Sequence, residues 1–198
     1  MSVEHPGLMG IEVAASGLKV LLAGFDLFPS LVQRLIVSKG ILKPGPGGKL
    51  EIREDRWFPL ESWLSVLEAI HTEIGPNAAF KLGRSILANP KFPPWIRDIE
   101  TALESIDVAY HRSHRKAGVI MYDAQSGRML EGIGHYRPHR LPGQQKIRVD
   151  CDTPYPCEID FGIVTELATK FEGKARAVHD PGACRRKGSD HCTYIVTW

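Results

Sequence analysis

Cys184-Arg-Arg-Lys-Gly-Ser-Asp-His-Cys192-Thr-Tyr-Ile-Val-Thr-Trp198 is the stretch around which the rest of the sequence can be arranged. Its first part runs between two cysteines and contains the turn signal Gly188-Ser-Asp. From Thr193 onward, β-branched and aromatic residues dominate, which predicts a strand. A third cysteine, Cys157, begins an apolar pattern with helical spacing. The sequence therefore predicts a tight cysteine-bounded loop that leads into a strand, with a helix nearby in the fold.

The second half of the chain has the two-residue alternation of β-structure, which begins after Arg115. The predicted strands are 118–123, 128–136, 144–150, 174–179 and 191–198. One helix, 157–171, lies between the third and fourth strands. Gly132 and Gly134 within the second strand indicate a bulge or a close backbone approach.

The first half has helical periodicity instead. Helices are predicted at 28–40, 59–74, 77–88 and 94–111, and residues 11–22 fit a strand followed by a helix. The predicted fold class is therefore α+β: an N-terminal helical layer packed on a C-terminal antiparallel sheet of about five strands with one inserted helix. We expect a single domain, 1–198, with a mainly helical part at 1–116 and a sheet-containing part at 117–198.

The composition is that of an ordinary globular domain, with 43% hydrophobic and 24% charged residues among 198. No apolar run reaches the roughly 18–20 residues that cross a bilayer, and the N-terminus lacks a signal-peptide pattern. We therefore expect a cytoplasmic protein with no membrane partner. A formal charge of +2 gives no argument for a nucleic-acid partner. Basic residues cluster at 111–116, 137–140 and 185–187, either as solvated loops or as one face for an anion or a partner.

Three cysteines have spacings that admit a metal site. Cys157, Cys184 and Cys192 are separated by 27 and 8 positions. A structural zinc needs four donors. The candidates for the fourth donor are Cys151, His179, Asp180 and His191. The alternative is that the cysteines are small buried apolar residues.

Catalytic motifs are absent from the sequence, so we predict that the chain is not an enzyme. His111 and His114 fit a solvated helix end, and His135 and His139 fit a surface strand exit. A weaker alternative is a nucleophilic cysteine at position 184 or 192, which would require a base beside it.

The second half resembles the 4-vinyl-reductase domain. The residues that carry the resemblance are Pro156-Cys157-Glu-Ile-Asp-Phe-Gly162, Phe171, Val178-His179 and Cys184-x-x-Lys-Gly-x-x-x-Cys192-x-Tyr-x-Val-x-Trp198. This family belongs with the haem-nitric-oxide-binding and Golgi transport-particle folds, and the chain is most similar to stand-alone members of the myxobacterial type. The resemblance implies an α+β ligand-binding fold, often dimeric, with a pocket for a small hydrophobic molecule between helices and sheet.

The resemblance also bears on cofactors. In phenol-responsive activators with this domain, three cysteines and a glutamate hold zinc, and Cys157, Cys184 and Cys192 match those cysteines. The glutamate position is Pro181 here, so the site is completed by His179, Asp180 or Cys151, or is absent. We predict His179 as the fourth ligand of a possible zinc. The nitric-oxide sensors use a proximal histidine and a Tyr-x-Ser-x-Arg motif, whose residue types occur at the wrong spacing in 110–115. The expectation is therefore against haem.

These observations support two functional hypotheses. The first is a small-molecule-binding sensory domain that passes ligand binding to a protein partner or across a homodimer interface. Its predicted pocket residues are Trp63, Leu67, Ile70, Phe80, Ile106 and Tyr110. The alternative is a protein-interaction or scaffold module of the same fold without a ligand, whose docking face includes Arg137 and Arg140.

Overall fold

The fold is described from a computed structural model, which covers residues 6–24, 29–87 and 92–198. Its elements, in chain order, are β1 (Ile11–Ala14), α1 (Ser16–Gly24), α2 (Pro29–Ser38), β2 (Trp57–Pro59), α3 (Leu60–Ala69), α4 (Pro76–Ile86), α5 (Ile99–Arg112), β3 (His114–Lys116), β4 (Val119–Ile120), β5 (Tyr136–Arg140), β6 (Lys146–Cys151), α6 (Cys157–Phe171), β7 (Arg176–His179) and β8 (Cys192–Thr197). A π-helical turn, Ile70–Ile74, follows α3. Short 3₁₀ turns lie at Pro6–Leu8, Pro46–Gly48 and Arg185–Lys187.

The C-terminal sheet contains four antiparallel strands in the order β5-β6-β8-β7. Val149 of β6 faces Tyr194 of β8, and both side chains are buried, as expected for the inner face of a half-covered sheet. Helix α6 connects β6 to the far edge strand β7 and packs against α4, α5 and β7. This helix has the predicted bounds, 157–171.

A second sheet, in the N-terminal half, was not predicted. It is antiparallel with the order β2-β1-β3-β4, and Val13 of β1 lies between Phe58 and His114. The α+β class with antiparallel strands is confirmed, but the single sheet of about five strands is wrong. The predicted strand 118–123 is reduced to β4, Val119–Ile120, and belongs to this N-terminal sheet.

Three other predicted elements have different bounds. The hairpin partner 128–136 is represented by a single bridge between Tyr122 and Met129. The predicted helix 94–111 begins only at Ile99, because Asp98 and Thr101 form a capping box there. The predicted helix 59–74 changes to π geometry at Ile70. The predicted helix start at Phe28 and the predicted helix end at Ala88 lie outside the described residues.

The helical half meets the C-terminal half where α4 crosses α6. A Cβ atom at Gly83 would lie 2.1 Å from the carbonyl oxygen of Ile159, and one at Gly162 would lie 2.2 Å from that of Phe80. Both distances are shorter than any real contact, so only glycine allows the two backbones to come this close. Gly134, with φ +72° and a Cβ position 2.4 Å from the Asp152 oxygen, confirms the predicted close approach.

Membrane-spanning helices are missing from the described part of the chain, because none of its helices is both long and apolar enough.

Candidate functional site

Three buried cysteines meet at the base of the C-terminal sheet. Cys157 is the first residue of α6, Cys192 is the first residue of β8, and Cys184 lies in the loop before β8. The sulfur of Cys157 lies 3.2 Å from that of Cys192 and 4.0 Å from that of Cys184. All three sulfurs are within 4.8 Å of one another. The structure thus brings together the three cysteines that the sequence singled out.

His179, the predicted fourth ligand, does not belong to this sulfur group. It lies on β7, and its ring packs 4.9 Å from the ring of Tyr194. Its Nε2 atom is buried without a hydrogen-bond partner among the described residues. Cys151, another candidate donor, is also outside the group, since its sulfur contacts Thr153 and Asp160 instead.

Arg185 connects the sulfur group to the interior. Its backbone N–H and its Nε each donate to the sulfur of Cys192 at 3.4 Å. Its Nη2 donates to the Asp160 carboxylate at 2.6 Å and to the carbonyl of Tyr155 at 3.0 Å. The contact with the Cys157 sulfur and the two Arg185 donors lower the pKa of the Cys192 thiol, because they favour a negative sulfur. The same sulfur–sulfur contact, with burial, raises the pKa of Cys157.

Asp160 is a fully buried carboxylate with several donors. Besides Arg185, it accepts hydrogen bonds from the Tyr136 hydroxyl at 2.5 Å, the Thr153 hydroxyl at 2.9 Å and the Cys151 thiol at 3.3 Å. Burial raises the pKa of Asp160 to about 6, against the lowering effect of Arg185 and the hydroxyls. Sequence reasoning did not single out this ion pair. The only available signal was an acidic residue among the apolar positions of α6.

Tyr110 is the centre of an interior aromatic cluster with His114, Tyr136 and Tyr155. Its ring lies 4.6 to 5.7 Å from the other three rings. The hydroxyl of Tyr110 donates to the carbonyl of Ile133 at 2.7 Å. His114 donates from Nδ1 to the Tyr110 carbonyl and accepts at Nε2 from the Tyr155 hydroxyl, so both nitrogens are occupied. Burial lowers the pKa of His114 to about 4, which keeps its ring neutral.

The predicted pocket residues are divided between two places. Five of them, Trp63, Leu67, Ile70, Ile106 and Tyr110, are buried in the core. The Trp63 indole is within hydrogen-bonding reach of the Tyr155 hydroxyl, which places it beside the aromatic cluster. Phe80 instead packs on α6, with its ring 5.0 Å from that of Phe161. A surface groove of about 370 Å³ contains none of these residues, and its lining is Ser30, Gln33, Arg34, Val37, Ser38, Gly48 and Leu50.

His111 is fully buried, contrary to the expectation of a solvated helix end. Its Nδ1 lies 2.9 Å from the Asp107 carbonyl oxygen, which can only accept, so Nδ1 carries the proton. Its Nε2 is buried and has no partner within the described ranges. His114, also expected at the surface, is 1% exposed. The error arose because α5 ends beneath the loop 121–135, a long-range contact that periodicity does not report.

Asp107 joins α5 to the start of β5. One carboxylate oxygen accepts from the backbone N–H of Tyr136 at 3.0 Å, and the other lies 2.9 Å from Nδ1 of His135. The ring of His135 stacks on that of His111 at 4.7 Å and 29°. Each ring nitrogen can bind a metal ion only in the plane of its own ring, and the planes of these two stacked rings are nearly parallel. Asp107, His111 and His135 are therefore poorly arranged to hold one metal ion between them.

Comparison with known proteins identifies the fold. No family model and no curated protein sequence matches the chain. An H-NOX protein from S. oneidensis in the Fe(II)NO ligation state matches with a TM-score of 0.63 and 15% identity, over 92% of this chain and 97% of that chain. The Fe(II) unliganded H-NOX protein from K. algicida gives a TM-score of 0.61 and 10% identity, over 93% and 95%. A structure on haem redox potential and porphyrin distortion gives 0.57 and 11%, over 93% and 97%.

These neighbours correct the cofactor prediction. The sequence predicts zinc as a possible cofactor and no haem, whereas the solved structures that match this chain include H-NOX proteins in Fe(II) states and a structure on haem redox potential. The expectation against haem failed because it depended on the spacing of one motif, Tyr-x-Ser-x-Arg, in residues 110–115. The predicted likeness to the haem-nitric-oxide-binding fold is confirmed, while the narrower 4-vinyl-reductase and myxobacterial assignments stay predictions. The comparisons therefore assign this chain the H-NOX fold.

Proposed function

We propose that this chain is a sensory domain that binds a small molecule in its interior and passes the binding event to a protein partner or across a homodimer interface. The observation that carries the proposal is the buried Nε2 of His111, which has no hydrogen-bond partner in the described part of a chain with the H-NOX fold. A buried polar atom without a partner costs free energy, and a ligand that bonds to it recovers that cost. Haem is the first ligand class to test.

The donor set fits haem iron through His111. The Asp107 carbonyl holds the Nδ1 proton, which leaves the lone pair of the neutral imidazole on Nε2. Hydrogen bonding of the second nitrogen is the usual arrangement for a metal-ligating histidine. His114 does not fit, because both of its nitrogens are already bonded. When bound, haem would supply an iron with an open position for a diatomic gas.

The predicted pocket is retained in this proposal as the apolar wall of the binding region. Tyr110 packs edge-on against His111, with ring centroids 5.4 Å apart. Ile106 lies one turn earlier on α5 and is also buried. Trp63 reaches the same cluster from α3 through Tyr155. A ligand at His111 would therefore displace side chains from both α3 and α5.

Helix α5 provides a route from the ligand to both sheets. Its C-terminal end continues through Ser113 into β3 of the N-terminal sheet. Asp107 fixes the same helix to His135 and Tyr136 at the start of the C-terminal sheet. A ligand that moves His111 would shift α5. The N-terminal sheet would receive that shift along the chain through Ser113, and the C-terminal sheet would receive it through the hydrogen bonds of Asp107. The ligand changes the equilibrium between two conformations of the domain only if it binds one conformation more tightly than the other.

The test is titration of the purified chain with haemin, monitored by the Soret absorption band. We expect saturable binding at one haem per chain. His111→Gly should abolish the axial bond, and added imidazole should restore the ligated spectrum. His139→Gly, at an exposed position on β5, is the matched control and should bind as the wild type does.

The outcomes separate the haem assignment from the wider proposal. No saturable Soret change in the wild type would exclude haem. The same protein would then be titrated with small apolar molecules while tryptophan fluorescence and Tm are measured. If these also stayed constant, the sensory proposal would be refuted. The scaffold alternative has no specific support from the structure, because Arg137 pairs with Asp152 and Arg140 pairs with Glu100 within the chain.

A further inference from the structure

We propose that the free edge of β7 pairs with β7 of a second copy of this chain, so that their two C-terminal sheets join into one antiparallel sheet. This inference rests on the homodimer part of the proposed function and gives that interface a location, but it requires no interior ligand. Three observations carry it: the direction of the backbone groups of β7, the lack of protection at this edge, and a side-chain pattern that is complementary to itself.

Strand β7 has a free row of backbone hydrogen-bonding groups. It is an edge strand, because the sheet order is β5-β6-β8-β7. Directly after β7, the backbone N–H of Asp180 donates to the carbonyl of Thr193 at 2.8 Å. Successive residues of an antiparallel strand direct their backbone groups to opposite sides, so Ala177 and His179 direct theirs away from β8. Among the described strands, β8 is the only one that pairs with β7.

The opposite edge of the same sheet is protected, whereas β7 is not. The N–H of Tyr136 points away from β6 and donates to the Asp107 carboxylate at 3.0 Å. Pro138, two residues later on β5, faces the same side and has no N–H to offer a new strand. Strand β7 contains no proline, and its Val178 side chain is 58% exposed. Of the two edges, β7 is therefore the one that can accept another strand.

A two-fold axis at Val178 satisfies the backbone of both copies. It places Val178 opposite the same residue of the second copy, and Ala177 opposite His179 of the second copy. The two equivalent Ala177–His179 pairs can each exchange both of their backbone hydrogen bonds. The two valines then occupy a close pair without hydrogen bonds, where their side chains contact each other. Ile195 lies directly opposite Val178 on β8 and extends this apolar strip in each copy.

The same register joins opposite charges. Arg176 faces Asp180 of the second copy, and the symmetry repeats this pair on the other side of the axis. Within the chain, Arg176 donates to the Ala175 carbonyl at 3.4 Å, and Asp180 accepts from the Gly182 N–H at 2.8 Å. Neither side chain has a charged partner in the described part of the chain, so both charges are available. A slip to either neighbouring register would place Val178 opposite a charged residue, so the side-chain pattern selects this pairing.

The expected dimer is a weak one. Each copy contributes one strand of four residues, which buries less surface than the roughly 1,200–2,000 Å² of a stable, specific interface. We therefore expect monomer and dimer to exchange, with a dimer fraction that rises with protein concentration.

The experiment is sedimentation equilibrium of the purified chain without haem, under reducing conditions, from micromolar to near-millimolar concentration. We expect a reversible monomer–dimer equilibrium for the wild type. Arg176→Asp alone and Asp180→Arg alone should each stay monomeric at concentrations where the wild type dimerises, because like charges then face each other across the axis. An equimolar mixture of these two variants should dimerise, since every charge then faces its opposite. Arg128→Asp, at an exposed position in the loop before β5, is the matched control and should dimerise as the wild type does.

Amide hydrogen exchange locates the contact. The N–H groups of Ala177 and His179 should exchange more slowly at high protein concentration than at low concentration. Circular dichroism establishes that each variant is folded. A wild type that stays monomeric at all concentrations, single variants that dimerise as the wild type does, or a mixture that stays monomeric would each overturn the proposal. Because no ligand is added, these results are independent of the haemin and fluorescence titrations.

Discussion

Replacement of Asp160 by asparagine tests the buried ion pair most directly. Asparagine has nearly the same size, so the change removes charge without creating a cavity. Arg185 would then lack its anion in a site where Asp160 is 0% exposed and the Arg185 side chain is 17% exposed. The new amide group would also present N–H donors to the Tyr136 and Thr153 hydroxyls or to Arg185, all of which now donate to the carboxylate. Loss of one partner of a buried pair costs about 3–5 kcal/mol.

The assay is urea denaturation at pH 7, with the free energy of unfolding compared between variants. Asp55→Asn is the matched control, because its pair with Arg53 has side chains 66% and 64% exposed, and exposed pairs contribute little to stability. A double variant, Asp160→Asn with Arg185→Met, should recover part of the loss, since no unpaired charge remains. If Asp160→Asn unfolds within about 1 kcal/mol of the wild type, the carboxylate is not desolvated and the description of this ion pair is refuted.

Three further perturbations test the packing and the pH response. Gly162→Ala places a Cβ against the backbone of α4 and should lower the free energy of unfolding by about 1–3 kcal/mol in the same assay, whereas Gly173→Ala, with open space around it, should change it little. Asp98→Ala removes the capping box of α5 and should lower the Tm of the protein. Burial lowers the pKa of His135, but hydrogen bonds to Asp107 and Glu131 outweigh burial and raise it. The stabilisation from His135 is therefore complete below its unfolded pKa and is lost as pH rises through the folded value. The urea midpoint should fall between pH 5 and 8 more steeply in the wild type than in His135→Gln. Equal pH dependence of the two midpoints would contradict this.

The sequence predicted long elements well and short ones poorly. The bounds of α6 follow from fifteen residues of consistent apolar spacing that begin after Pro156. The N-terminal sheet is built from strands of two to four residues, such as β4. A period of two cannot be recognised over so few residues, and pairing between β1 and β3 joins positions about a hundred residues apart in the sequence.

The sequence also predicted only some of the residues of the candidate site. Cysteine spacing correctly selected Cys157, Cys184 and Cys192 as neighbours, because a helix start, a loop and a strand start can meet at one end of a sheet. It could not select Asp160 or His111. Their roles depend on which side chains lie across the interface, and each looks like an ordinary polar residue on an amphipathic helix. Burial with a specific partner is a property of the tertiary structure and is not encoded in local pattern.

Arg185 makes the sulfur group and the buried carboxylate a single electrostatic unit. One guanidinium donates to both Cys192 and Asp160, so a change in charge on either group alters its interaction with the other. The neighbouring residue, Arg186, points the opposite way and forms a paired contact with Glu68 of α3, at 3.0 and 2.8 Å. Two consecutive arginines thus tie the same short loop to the interior and to the helical half. Through this loop, the sulfur group and the buried carboxylate are connected to the helical half by contacts that do not pass through α5.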